Sequence, residues 1–107
     1  MTTVVVSRKD NHIVLVESRG HTGYSEEGSD IVCAAISTVL ETALLGLIKV
    51  ANIDIKYKRA SGYLKFEVED DISEDARHSA DIILDTMLEG VRDLSQGYSK
   101  YIKLEVK

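Results

Sequence analysis

The stretch Gly20–Ser37, reading GHTGYSEEGSDIVCAAIS, runs a glycine-rich polar loop into the start of a long apolar helix and holds the only cysteine of the chain, Cys33. Three glycines, Gly20, Gly23 and Gly28, fall in it. They let the backbone take positive φ without a side-chain clash, so a mobile loop is expected over residues 20–29. Asp30 is the expected N-cap, because its carboxylate can accept from the open N–H groups of a first turn. That puts Cys33 at the third helical position. Residues three and four apart share a helix face, so Asp30, Cys33 and Ser37 are expected on one stripe at the helix mouth, continued by Glu41. His21 can fold onto that stripe across the loop.

Working outward, Ile31 to Val50 is apolar nearly all round, the pattern of a helix covered on most sides. One sheet in a chain of 107 residues cannot cover such a helix, so a second helix or a second subunit is expected on its remaining surface. The segment is long enough to raise the question of a membrane span. Glu41 stands at its centre beside Ser37, Thr38 and Thr42, and a charge there points to a buried helix instead. Asn52 is the expected stop.

Before the loop, Thr2 to Ser7 and His12 to Arg19 are rich in β-branched residues and flank the turn-forming Arg8 to Asn11, a hairpin pattern. Val4 and Val6 are expected on one face and Ile13 with Leu15 on one face of the partner strand, with Val5, Val14 and Val16 opposite. After the helix, Ile53 to Lys58 and Tyr63 to Glu69 read as a second hairpin across Ser61 and Gly62, with one wet face. Ser73 is expected to cap a second helix, with Glu74 and Asp75 at the positive end of its dipole. Apolar residues then recur at three and four from Ala76 to Leu94, Gly97 ends the helix, and Tyr98 to Val106 alternates as a last strand. The order ββαββαβ predicts an α+β fold, with two helices packed on a largely antiparallel sheet in one compact domain spanning residues 1–107.

The formal net charge of −5 argues against general nucleic-acid binding, which depends on cationic neutralisation of phosphates. Lys56, Lys58, Arg59 and Lys65 cluster around one turn and read as a solvated hairpin tip. A single cysteine forms no internal disulfide, and MTTVVVSRKD has no basic segment followed by an apolar run, so a cytoplasmic protein without a membrane association is expected. His12, beside a hairpin turn, and His78, on the wet side of the second helix, are expected as solvated surface residues.

Spacing alone leaves two readings of Cys33. One is a small buried hydrophobe, the common state of a lone cysteine on an apolar helix. The other is a nucleophile, which works as the thiolate and needs its pKa lowered, by a helix N-terminus or, more strongly, by an imidazolium. Cys33 has the first by its expected position and gains the second if His21 folds back. Asp30 would then orient the imidazole, Ser37 would donate to the sulfur or the ring, and the first-turn N–H groups would hold an oxyanion. Tyr24 stacks on a substrate or anchors the loop. A metal site from His21, Asp30 and Cys33 lacks a fourth ligand and a recognisable spacing, and no cofactor is expected. A redox sensor would need a resolving cysteine from another chain.

The combination of Gly20-His21 with Gly28-Ser29-Asp30-Ile31-Val32-Cys33-Ala34-Ala35-Ile36-Ser37 resembles the signature of the bacterial ribosomal-processing cysteine proteases, and segment order and length agree along the whole chain. The resemblance implies a homodimeric endopeptidase that trims a short N-terminal extension from a large-subunit ribosomal protein, exposing a tail that reaches toward the peptidyl-transferase centre. It implies Cys33 as nucleophile and His21 as general base, with Asp30 and Ser37 supporting them. Gly20, Gly23, Tyr24 and Gly28 would form the loop that closes over a peptide carrying paired aromatic residues before the cut. Glu26 and Glu27 make this loop acidic, and Ser29 stands where the family more often has a longer polar side chain. These departures bear on loop closure and substrate preference. A non-catalytic, ribosome-associated peptide-binding module is the alternative from another class.

Overall fold

The computed structural model describes residues 1–20 and 27–107, the side chains of residues 27–30 excepted. The β-branched runs at the start of the chain pair as a hairpin, β1 (Thr2–Lys9) antiparallel to β2 (His12–Arg19). Asp10 and Asn11 make the turn with φ of 53° and 68°. Two positive φ values in succession match the twist of the flanking strands, and Asp and Asn tolerate them best.

The hairpin carries one bulge, and it reorders the core. Ser7 lies opposite Leu15 but Arg8 lies opposite Ile13, so Val14 is an extra residue in β2. The alternation therefore slips, and Ile13 and Val16, three apart, both reach the core at 1% exposure, alongside Val4 and Val6. The expected pairing of Ile13 with Leu15 on one face does not occur. Period-two reading places every residue correctly only until a residue is inserted.

The first helix, α1 (Glu27–Leu45), continues as a wider π-type turn over Gly46–Val50. Asn52 stops it at φ 56°, as expected, and the Ile53 N–H donates to the Leu47 carbonyl at 2.9 Å. Val32, Ile36, Leu40, Ala43, Leu44 and Leu47 are buried, whereas Ile31, Leu45 and Val50 are 63%, 46% and 78% exposed. The helix thus buries one face, not most sides.

The second hairpin joins β3 (Lys56–Ala60) to β4 (Tyr63–Glu67) through Ser61 and Gly62. Its first strand begins three residues later than the sequence suggests, because Ile53 is drawn into the core as the helix closes. The two-residue turn then sets Ala60 opposite Tyr63. In α2 (Glu74–Gly97), the Ser73 hydroxyl accepts from the Ala76 N–H at 3.1 Å, the expected cap. Its buried stripe is Ala80, Leu84, Met87, Leu88 and Val91. The last strand, β5 (Ile102–Val106), runs parallel to β1, giving the sheet order β3-β4-β2-β1-β5. Tyr98–Lys100, expected as its start, forms turns instead. Two helices cover one face of this mostly antiparallel sheet, the predicted α+β architecture.

Candidate active site

The ends of four strands and the middle of α1 meet around a cleft of about 330 Å³. Thr2 and Ser18 contribute from β1 and β2, Ala60, Gly62, Tyr63 and Leu64 from the second hairpin, and Cys33, Ile36, Ser37, Leu40 and Glu41 from α1. The sequence brings them together by simple means. Cys33, Ser37 and Glu41 are one turn apart and so share the cleft wall, while the tight turn at Gly62 keeps β3 and β4 level with the end of β2.

Gly20 closes the strand side and leads directly into His21. Its φ is 95°, and a Cβ built on it would stand 2.6 Å from the Met1 carbonyl oxygen. Its N–H donates to the Gly62 carbonyl at 2.9 Å. Glycine is required here by backbone angle and by space together. Beneath it, Thr2 is 2% exposed, and its hydroxyl has no hydrogen-bond partner among the described residues.

Bridging the cleft from β3 to α1, Arg59 Nε donates to Glu41 Oε1 at 2.8 Å and its Nη2 donates to Oε2. The hydrogen bond to this carboxylate raises the Arg59 pKa above its ordinary value. Two further members of the basic cluster are also matched: Lys56 lies 3.2 Å from Glu69, and Lys65 lies 3.5 Å from Glu67. Lys56, Lys58 and Arg59 are exposed, as expected of a solvated hairpin.

Of the predicted site residues, Cys33 and Ser37 share the cleft wall, Cys33 half-buried and Ser37 exposed. Gly20 lies at the cleft's end. His21, Gly23 and Tyr24 lie outside the described residues. So do the side chains of Gly28 and Asp30, but their backbone is helical, which corrects one expectation. The helix begins at Glu27, so Asp30 is not its N-cap and Cys33 is its seventh residue rather than its third. Glu27 and Asp30 suit the positive end of the helix dipole, which favours extending the helix back through them. The correction has a chemical consequence, because the dipole's influence falls off within the first turn. The N–H of a seventh residue is already inside the helical ladder.

Sequence reasoning missed Thr2, Ser18, Arg59 and the Gly62 turn as parts of the cleft. Only Arg59 left a signal, as a member of the basic cluster. His12 was expected in solvent, yet its Nδ1 lies 2.8 Å from Asp81 of α2, at the far end of the sheet.

The family model for the cysteine protease Prp matches residues 1–103. The chain belongs to the Prp cysteine protease family. It is 32% identical, over an alignment of 111 positions that covers 100% of both chains, to the ribosomal processing cysteine protease Prp of Staphylococcus aureus. The crystal structure of the S. aureus Prp in complex with a substrate peptide superposes with a TM-score of 0.86 and 26% identity, covering 100% of both chains. The S. aureus Prp with a covalently linked product peptide superposes at 0.85, with 27% identity and the same full coverage. Prp membership makes this chain a thiol protease.

Proposed function

We propose that the protein is a cysteine endopeptidase that removes the N-terminal extension of a large-subunit ribosomal protein, with Cys33 as nucleophile and His21 as general base. The observation that carries this reading is the position of Cys33 on the α1 wall of a cleft whose strand side ends at Gly20, the residue before His21. The His21 imidazole takes the thiol proton, and the sulfur forms a bond to the scissile carbonyl carbon as the carbonyl electron pair moves to oxygen. Collapse of this adduct breaks the C–N bond, and the departing amine takes the proton from His21. A water deprotonated by His21 then attacks the thioester, releasing the extension as a carboxylate and returning the proton to sulfur.

With Cys33 a full turn past the helix mouth, proton transfer to the His21 imidazole rather than the helix dipole generates the nucleophile. For the same reason Ser37, one turn on, is a better oxyanion donor than the Cys33 N–H. Asp30 orients His21, and Gly23 and Tyr24 belong to the loop that closes on the peptide, with Gly28 behind it in the first turn of α1. The enzyme is a cytoplasmic homodimer with no membrane or direct nucleic-acid association. In support of the dimer, Val39, Ala43, Gly46, Val50, Ile82 and Met87 line an apolar groove of about 520 Å³ between α1 and α2. Sedimentation at micromolar concentration should show dimer, and monomer alone would count against it.

The test is cleavage of a synthetic peptide spanning the extension of the host's own ribosomal substrate. Wild type should cut one bond, and Cys33→Ala and His21→Ala should not. Trimming by Cys33→Ala would sink the mechanism, and tight binding without cutting by wild type would favour a binding module.

A further inference from the structure

Thr2 is the one buried polar residue among the described residues, at 2% exposure, and its hydroxyl has no hydrogen-bond partner among them. The backbone around it is engaged: its N–H donates to the Tyr101 carbonyl at 2.9 Å, and it pairs with Ile102 of β5. The next two core positions of the same strand are Val4 and Val6. A valine at position 2 would keep the β-branched shape that a strand favours and would not strand a hydroxyl, which costs stability. Folding therefore does not account for the threonine. Its surroundings do: Thr2 lines the strand side of the cleft, across from the α1 wall that carries Cys33 and Ser37. The pairing of Thr3 with Arg19 sets Thr2 opposite Gly20, and its Cα would lie 3.9 Å from a Cβ built on that glycine. It stands at the end of the cleft where the chain leads into His21.

We propose that Thr2 is a further catalytic residue, whose hydroxyl holds the water that hydrolyses the thioester in the second half of the reaction. This rests on Cys33 as nucleophile and His21 as base. The same base serves both halves in opposite directions, so the water enters where the amine left. One of its hydrogens goes to the imidazole. The other needs an acceptor, so that a lone pair faces the carbonyl carbon, and a threonine hydroxyl offers two lone pairs. The water oxygen bonds to the carbonyl carbon, its proton passes to His21, and collapse breaks the C–S bond as the proton returns to sulfur. Thr2 accepts a hydrogen bond and is itself unchanged. Ser37, on the wall of the nucleophile, serves the oxyanion in both halves, whereas Thr2, on the opposite wall, meets its partner only once the amine has gone. Until then its hydroxyl is unmatched, a cost to stability of the kind that active sites carry.

The experiment uses the p-nitrophenyl ester of the extension peptide, which releases nitrophenol on acylation, before any water is needed. In stopped flow, Thr2→Val should keep the wild-type burst, which reads acylation. It should lower the steady-state rate, which reads hydrolysis, about tenfold, the scale of one lost hydrogen bond. Thr2→Ser, which keeps the hydroxyl, should restore that rate, and Thr2→Ala should match Thr2→Val. Hydroxylamine supplies a second reading, because it attacks the thioester in place of water. The ratio of hydroxamic acid to carboxylic acid should rise about tenfold in both hydroxyl-free variants, and this ratio does not depend on how much of a variant is folded. A product ratio equal to wild type, whether the two rates fall together or stay, overturns the role of Thr2 and leaves the protease. Ester turnover by Cys33→Ala at the wild-type rate overturns both.

Discussion

Replacing Gly20 by alanine tests whether the strand end holds the catalytic loop in place. At φ 95° an L-residue costs about 1–2 kcal/mol. The new Cβ would stand 2.6 Å from the Met1 carbonyl oxygen, well inside ordinary contact. That carbonyl cannot simply turn away, because the N–H of the same peptide unit, at Thr2, donates to the Tyr101 carbonyl at 2.9 Å. Nor can Gly20 retreat without losing its own 2.9 Å bond to Gly62. One of these bonds must give, at about 1 kcal/mol, and residual crowding brings the total to about 3 kcal/mol. For a domain of this size that is a fall in Tm on the order of 15 °C.

If the strand end yields instead, the next residue moves, and misplacing His21 by about 1 Å should lower kcat/KM by about a hundredfold. Melting curves and peptide cleavage, measured on one preparation, read both routes. Gly20→Asn separates the causes: asparagine tolerates positive φ but still carries a Cβ, so it should recover only the dihedral part, about 1 kcal/mol. A Gly20→Ala protein with wild-type Tm and kcat/KM would refute the reasoning.

Thr2→Val removes a buried hydroxyl that has no partner among the described residues. It should stabilise the fold by about 1 kcal/mol in urea denaturation, and a loss of stability would show that the hydroxyl is satisfied in solution. Ser73→Ala removes the α2 cap and should cost about 1 kcal/mol, whereas an unchanged denaturation midpoint would mean that α2 does not depend on it. Hydrogen bonds from Arg19 and from the Tyr63 hydroxyl hold the Glu17 carboxyl below its ordinary pKa. A lowered folded-state pKa gives stability that is present above the ordinary carboxylate range and lost as pH falls through the folded value. Tm should therefore decline on acidification below about pH 4.5, and Glu17→Gln should flatten that decline, whereas an identical slope in both proteins would exclude Glu17 as a contributor.

Much of this molecule was legible in local sequence pattern. The period-two runs marked the strands, the period-three-and-four run marked α2, and Ser73, Gly97 and Asn52 marked helix ends, because capping and turn chemistry act within a few residues. The cysteine and its serine neighbour were legible for the same reason, since helical spacing alone puts Cys33 and Ser37 on one wall.

Interactions between residues distant in sequence were decided only by the tertiary structure. The bulge at Val14 follows from pairing with a partner strand and moved Ile13 and Val16 to one face. The α1 start at Glu27 moved Cys33 away from the helix mouth. The Arg59–Glu41 bridge joins residues 18 apart, and the parallel seating of β5 on β1 joins the two ends of the chain. Local propensity is a property of neighbouring residues and survives in any chain that carries them. Which charges meet, which face of a helix stays uncovered and where a cleft opens depend on elements packed in three dimensions, and only the folded chain brings those together.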